Sequence, residues 1–182
     1  MRGRCASCGR SAVWRFDPVM TPARRLFLFV FLATLVLDQA SKLWLFFVVD
    51  IAARQPIQVT PFFNLILVWN QGISYGMFQQ TTEFGRWALT LFKVAAAIGL
   101  SIWAWRAQQR WLSIGLGLIA GGAIGNAIDR VLYGAVLDFA HLFYGGFSWY
   151  VFNIADAAIV VGVLFLLYDG FVSGRSPASE KP

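Results

Sequence analysis

Four apolar runs, each long enough to cross a bilayer, constrain this chain more than any other feature of its sequence. The first extends from Leu26 to Val49 and is interrupted only by the polar residues of the stretch Asp38 to Lys42, DQASK. At about 1.5 Å per helical residue it exceeds the ~30 Å of a hydrocarbon core. It is too long for the apolar part of a cleavable signal peptide, and no small-residue cleavage site follows it, so an uncleaved membrane helix is expected. The second span is Trp87 to Trp105, the third Trp111 to Ile128 and the fourth Ile154 to Phe171. Composition agrees: 58% of residues are hydrophobic, 13% are charged and the mean hydropathy is +0.63, whereas soluble domains are about a quarter charged.

The net charge of +6 would raise nucleic acid as a partner for a soluble protein, but its distribution gives another reading. Arg2, Arg4, Arg10, Arg15, Arg24 and Arg25 all precede the first span, and Arg106 and Arg110 sit in the short connection between the second and third. By the positive-inside rule these segments are cytoplasmic, and four crossings then place both termini inside. The expected organisation is a cytoplasmic tail over residues 1–23, a four-helix membrane domain over 24–172 and a cytoplasmic tail over 173–182. Trp87, Trp103, Trp105, Trp111 and Trp149 fall near span ends, where amphipathic rings favour the interface. One histidine and two cysteines are too few for a His-rich metal site or a disulfide framework, so no metal or cofactor is expected.

Two segments remain outside the membrane, on the side opposite the arginines. Ile57 to Phe78 is rich in β-branched and aromatic residues and punctuated by Pro61, Gly72 and Gly76, which reads as short strands with turns. The fold class is therefore all-α, four transmembrane helices with a small β-rich segment between helices one and two. The second segment, Asp129 to Asn153, links spans three and four and carries Gly134, Gly145 and Gly146.

Ionisable groups in a membrane need a partner or a purpose, because each costs about 2.5 to 3.5 kcal/mol when central. Asp129 ends the third span, Asp138 follows it and Asp156 opens the fourth, so all three map to one membrane face. If helices three and four are neighbours, Asp138 and Asp156 approach each other where water and a lipid-borne substrate both arrive. Two close carboxylates share one proton, leaving one to activate water and the other to protonate a carbonyl. Spacing alone leaves a proton relay or an ion site equally open.

The residues that narrow this are GGAIGNAIDRVLYGAVLDF from Gly121 to Phe139, FNIADAAIVVG from Phe152 to Gly162, DQASK from Asp38 to Lys42 and FFNLILVWNQGISYGMF from Phe62 to Phe78. In order and topology, over about Arg24 to Asp169, they resemble the bacterial lipoprotein signal peptidases, signal peptidase II. The resemblance implies a membrane-embedded aspartic endopeptidase that removes the signal peptide from diacylglyceryl-modified prolipoproteins, cutting before the lipidated cysteine. It implies a multi-pass protein of the inner membrane with its active site near the outer face, working as a monomer among membrane lipids, with no nucleic acid and no cofactor. The family's catalytic aspartates, in V-x-D-F and F-N-x-A-D, map onto Asp138 and Asp156. Its supporting residues map onto Asn70, Gly72, Asn126, Asp129, Arg130 and Asn153, with Asp38 and Lys42 matching the first-helix motif.

Plainer roles compete for several of these. Asp38 and Lys42 share a helix face and suit an ion pair that holds the bundle together. Asp129 and Arg130 are adjacent, so they face separate partners, while Asn126 shares the face of Arg130. Gly121, Gly122 and Gly125 suit close helix packing, and Asn70 and Gly72 suit either a turn or peptide binding. His141 is the only histidine, and the aspartate motif does not require it; Ser148 has no context that marks it as a nucleophile. The chain departs from the family in an N-terminal extension bearing Cys5 and Cys8, in Trp149-Tyr150-Val151 before the last motif and in Ser74. A proton-coupled transporter would spread its acids through the depth of the bundle, and a thiol oxidoreductase would need cysteines on the outer side.

Overall fold

The computed structural model describes residues 20–72 and 83–173. The expectations for most of both tails, including Cys5 and Cys8, and for Ser74 lie outside the described residues. Four helices are long and apolar enough to cross a membrane, spanning Pro22–Val48, Glu83–Arg106, Arg110–Tyr133 and Ile154–Phe171. We label the elements α1 (Pro22–Leu43, prolonged by a π-helical turn over Trp44–Val48), α2 (Ile51–Arg54), β1 (Ile57–Thr60), β2 (Phe63–Asn70), α3 (Glu83–Arg106), α4 (Arg110–Tyr133), β3 (Val136–Tyr144), β4 (Phe147–Ser148) and α5 (Ile154–Ser173).

Local chemistry sets several boundaries. Thr21 caps α1 by accepting the Arg24 amide at 3.3 Å, with Pro22 in the first turn, where its missing N–H leaves no bond unmade. At the same end, Arg24 Nε donates to the Trp105 carbonyl at 2.9 Å and the guanidinium lies over the Trp105 ring, fastening the start of α1 to the end of α3. Gly134 terminates α4 with φ 77°, a left-handed conformation that favours glycine. The helix thus continues one turn beyond Asp129.

α4 occupies the centre and packs against α1, α3 and α5. Its core contacts are small or aliphatic: Leu112, Leu116, Ala120 and Ala123 meet Phe27 of α1 and Ala97 and Ala104 of α3. The outer helices turn Phe29, Phe92 and Leu164 outward, each more than half exposed, as expected of side chains whose solvent is lipid. Two glycines of α4 let α5 approach. A Cβ on Gly122 would lie 2.6 Å from the Ala155 carbonyl oxygen, and one on Gly115 would lie 2.8 Å from that of Gly162. Gly122→Ala is therefore expected to push the start of α5 away, costing about 1–3 kcal/mol and lowering turnover at least tenfold. Gly99→Ala, with nothing within 4 Å of the added carbon, is the control and leaves both unchanged. Thermal unfolding in detergent alongside a cleavage assay checks the pair.

The strands form one antiparallel array in the order β1-β2-β3-β4. Strands between helices one and two match the sequence expectation, but half of the array comes from the second segment, for which the sequence reading assigns no secondary structure. β3 reads VLDFAHLFY, with its first five residues buried, and such a run has none of the alternation that marks a half-exposed strand. The register of β2 on β3 shifts between Leu65 and Val68, so β2 carries one extra residue just before Val68 pairs with Asp138. Bulges of this kind re-aim side chains near functional sites. Beneath the sheet, Leu45, Ile51, Leu137, Phe139 and Ala140 form a second core with Phe63, Leu65, Leu67 and Phe152.

Candidate active site

The sheet and the ends of α1, α4 and α5 converge on a polar cluster in which Asp38, Lys42, Asn126, Asp129, Arg130, Asp138 and Asn153 are each at most 3% exposed. With Gly72, which is also buried, eight of the ten residues singled out in the sequence are thus buried together. Asn70, Gly72 and Asp156 complete the cluster through hydrogen bonds to its members.

Two backbone devices bring the acids of β3 and α5 near each other. Phe152 forms a bridge with Ala140, exchanging bonds of 2.8 and 3.0 Å, and Trp149 N donates to the Leu142 carbonyl at 2.8 Å. The departure Trp149-Tyr150-Val151 is thereby held against β3, and the chain enters α5 beside Asp138. Asn153 then caps α5, its side-chain oxygen accepting the Asp156 amide at 2.9 Å. Its Nδ2 donates to Asp138 Oδ1 at 2.6 Å and to Asn126 Oδ1 at 3.1 Å. Asn126 Nδ2 donates in turn to Asp156 Oδ1 at 2.8 Å. Asn70 Nδ2 reaches the other oxygen of Asp138 at 2.9 Å, while its own oxygen accepts the Gly72 amide at 3.0 Å. Asn70 thus makes a turn and holds a carboxylate at once.

Burial pushes the Asp138 carboxyl up to about 7, and the neighbouring Asp156 charge adds to the rise; hydrogen bonds from Asn70 and Asn153 and the charge of Lys42 oppose it. Asp156 is only partly buried.

A second group braces the first. Lys42 Nζ lies 2.7 Å from Asp38 Oδ2 and 2.7 Å from Asp129 Oδ2, so the i,i+4 pair legible in the sequence is one arm of a buried triad. Asp38 Oδ1 also accepts the Ala155 amide at 2.9 Å, supplying a free N–H of α5 with a partner from α1. Asp129 accepts the Leu137 amide at 3.3 Å and Gln39 Nε2 at 3.0 Å. Arg130 turns elsewhere, as its adjacency to Asp129 required, and donates through Nη2 to the Gly72 carbonyl at 2.6 Å.

His141 is turned to other partners: its Nε2 lies 2.7 Å from Ser148 Oγ and its ring stacks on Phe143. Among the described residues no group of three or more His, Cys, Asp or Glu side chains is arranged to hold a metal. Sequence reasoning passed over Lys93. A lone lysine inside an apolar span is itself a signal, since it carries a charge into the bilayer region. Its charged neighbours are Arg130, Asp156, Asp138 and Lys42.

Comparison with known proteins identifies the family and the fold. The family model described as "Signal peptidase (SPase) II" matches residues 30–172. The "Lipoprotein signal peptidase" of Methylobacterium radiotolerans is 57% identical over 168 residues, covering 90% of this chain and 98% of the relative. That of Methylorubrum extorquens is 55% identical over 154 residues, covering 84% and 90%. A bacterial membrane enzyme solved by the in meso method at 2.3 Å shares the fold, with a TM-score of 0.71 at 24% identity over 86% of this chain and 93% of that one. With the match running through all four spans and both aspartate motifs, the chain belongs to the signal peptidase II family.

Proposed function

We propose that Asp138 and Asp156 are the catalytic pair of this multi-pass inner-membrane lipoprotein signal peptidase, acting by general acid and base catalysis on one water molecule. The observation that carries this reading is the link from Asp138 through Asn153 and Asn126 to Asp156. It joins two acids from separate elements at one end of the bundle. Asp138, buried and shifted upward, holds the proton that is given to the scissile carbonyl; Asp156, partly open, takes a proton from water. Because the two groups interact, the apparent values belong to the pair. Asn70, Asn126 and Asn153 orient the carboxylates, and Arg130 fixes the Gly72 turn.

The substrate is a diacylglyceryl-modified prolipoprotein, cut before its lipidated cysteine. The arginines at one end of the bundle support a topology with both termini cytoplasmic and the sheet and aspartates at the outer face. The enzyme works as a monomer, and the first 20 residues, which precede the family match, are dispensable. Purified protein incubated with lipid-modified and unmodified forms of one precursor tests the assignment. Preferential cleavage of the lipidated form supports it, and equal rates overturn the substrate class. Deleting residues 1–20 leaves the rate within about twofold.

The pH dependence follows from Asp138. Its carboxyl is raised above the ordinary carboxylate value of about 3.9, to about 7. The proton needed for catalysis is therefore held below that point and lost above it. Turnover is expected to decline as pH rises through about 7, in a profile recorded with one lipidated precursor at fixed detergent. Folding stability moves in the same direction: the folded chain binds this proton more tightly than the unfolded chain, so the contribution of Asp138 falls between about pH 4 and 7.

A further inference from the structure

The mechanism above gives no role to Lys93, a charged side chain midway along α3. Lys93 lies on the face of α3 between Thr90 and Ala97, both buried, so it is directed toward the packed side of the helix rather than toward lipid. The connection between Arg106 and Arg110 is tight and the two helices run antiparallel. Counting away from it at about 1.5 Å per residue puts Lys93 level with Ala123 and about one turn from Asn126. Among the described residues no hydrogen bond or ion pair engages its ammonium.

The other two cations are already committed. Lys42 is shared between Asp38 and Asp129, and Arg130 donates to the Gly72 and Asn126 carbonyls. Asp38, Asp129 and a singly protonated Asp138–Asp156 pair carry three negative charges, against two positive charges on Lys42 and Arg130. Buried charge of one sign is costly unless balanced, and Lys93 supplies the missing positive charge. The charged groups it faces come from every neighbouring part of the site: Arg130 of α4, Lys42 of α1, Asp138 of β3 and Asp156 of α5.

We propose that Lys93 is a positioning residue whose ammonium is the counter-charge of the Asp138–Asp156 pair, setting the pH range over which that pair is singly protonated and working. The inference rests on the assignment of the pair as catalytic. A cation beside two carboxylates favours their ionised forms. Its removal therefore makes each proton harder to lose and moves both limbs of the pH–rate profile to higher pH.

The test is that profile for full-length wild type, Lys93→Met, Lys93→Gln and Lys93→Arg, with lipid-modified precursor as substrate. Met and Gln variants are expected to displace both limbs upward by about 0.5 to 1 pH unit, extending turnover to higher pH and reducing it on the acid limb, with KM little changed. Arg restores the wild-type limbs. Limbs that stay in place in the Met or Gln variant, whatever the rate, overturn the proposal, as does an Arg variant displaced as far as Met. Asp138→Asn and Asp156→Asn assayed in parallel separate the two claims. If either cleaves normally the catalytic pair fails, whereas inactive Asn variants beside unmoved Lys93 limbs remove only the lysine's role.

Discussion

Asp138→Asn and Asp156→Asn each reduce cleavage of a lipidated precursor by at least about 10³-fold, measured as initial rate with purified protein. The expected size follows from the chemistry: positioned acid or base catalysis is worth about 10² to 10⁴, and the two groups act as a unit, so losing one removes most of what both supply. The substitutions keep volume and hydrogen-bonding reach, and the pair is held by asparagine amides at 2.6, 2.8 and 2.9 Å. At Asp138 an amide ends the cost of a buried carboxylate but sets its NH2 against Asn70 Nδ2 or Asn153 Nδ2, both of which donate to this position, so the two effects offset and stability is expected to stay within about 1–2 kcal/mol of wild type. A stable, folded and inactive protein is the predicted outcome; wild-type turnover by either variant removes that residue from the pair. Asn153→Ala takes away a contact to each acid, one to the Asp138 carboxylate and one to the Asp156 amide. It should lower the rate while leaving some activity.

Lys42→Met is expected to have the largest effect on stability, about 3–5 kcal/mol by thermal unfolding in detergent. Lys42 is the single ammonium between Asp38 and Asp129, at 2.7 Å from each, and both carboxylates are at most 1% exposed. Removing it leaves two buried acids facing each other without a cation. The damage reaches the active site, because Asp38 holds the Ala155 amide at the start of α5 and Asp129 holds the Leu137 amide beside Asp138. The double variant Asp38→Asn/Lys42→Met should lose less than the two single losses combined, since neutralising Asp38 leaves one orphaned charge, on Asp129, in place of two. Strict additivity would mean that the triad is not energetically coupled.

Much of the site's membership was legible in the chain, whereas its wiring was not. The motif around Gly121 to Phe139 named Asn126, Asp129, Arg130 and Asp138, and the spacing of Asp38 and Lys42 announced an i,i+4 pair. Nothing local indicated that Lys42 also meets Asp129, that Arg130 anchors the carbonyl of Gly72, or that Asp38 reaches an amide of α5. Those contacts join residues far apart in sequence, so their geometry exists only once α1, α4 and α5 have packed. Lys93 was overlooked because apolar neighbours on both sides made it look like an interruption of a span.

The sequence by itself determined the solvent and the element types: long apolar runs must become helices in lipid, because every backbone N–H and C=O there needs an internal partner. It also determined that the arginines of the first tail and of the second connection gather at one end of the bundle and Asp129, Asp138 and Asp156 at the other. Only the tertiary structure decided that β3 is a strand, which residue of it faces α5, and how the acids are bridged. A buried strand carries no periodic signal, and its register is set by a bulge in β2 and a backbone bridge to Phe152. Hydropathy is a property of each segment alone; the distance between two carboxylates is a property of how segments from four parts of the chain exclude water together.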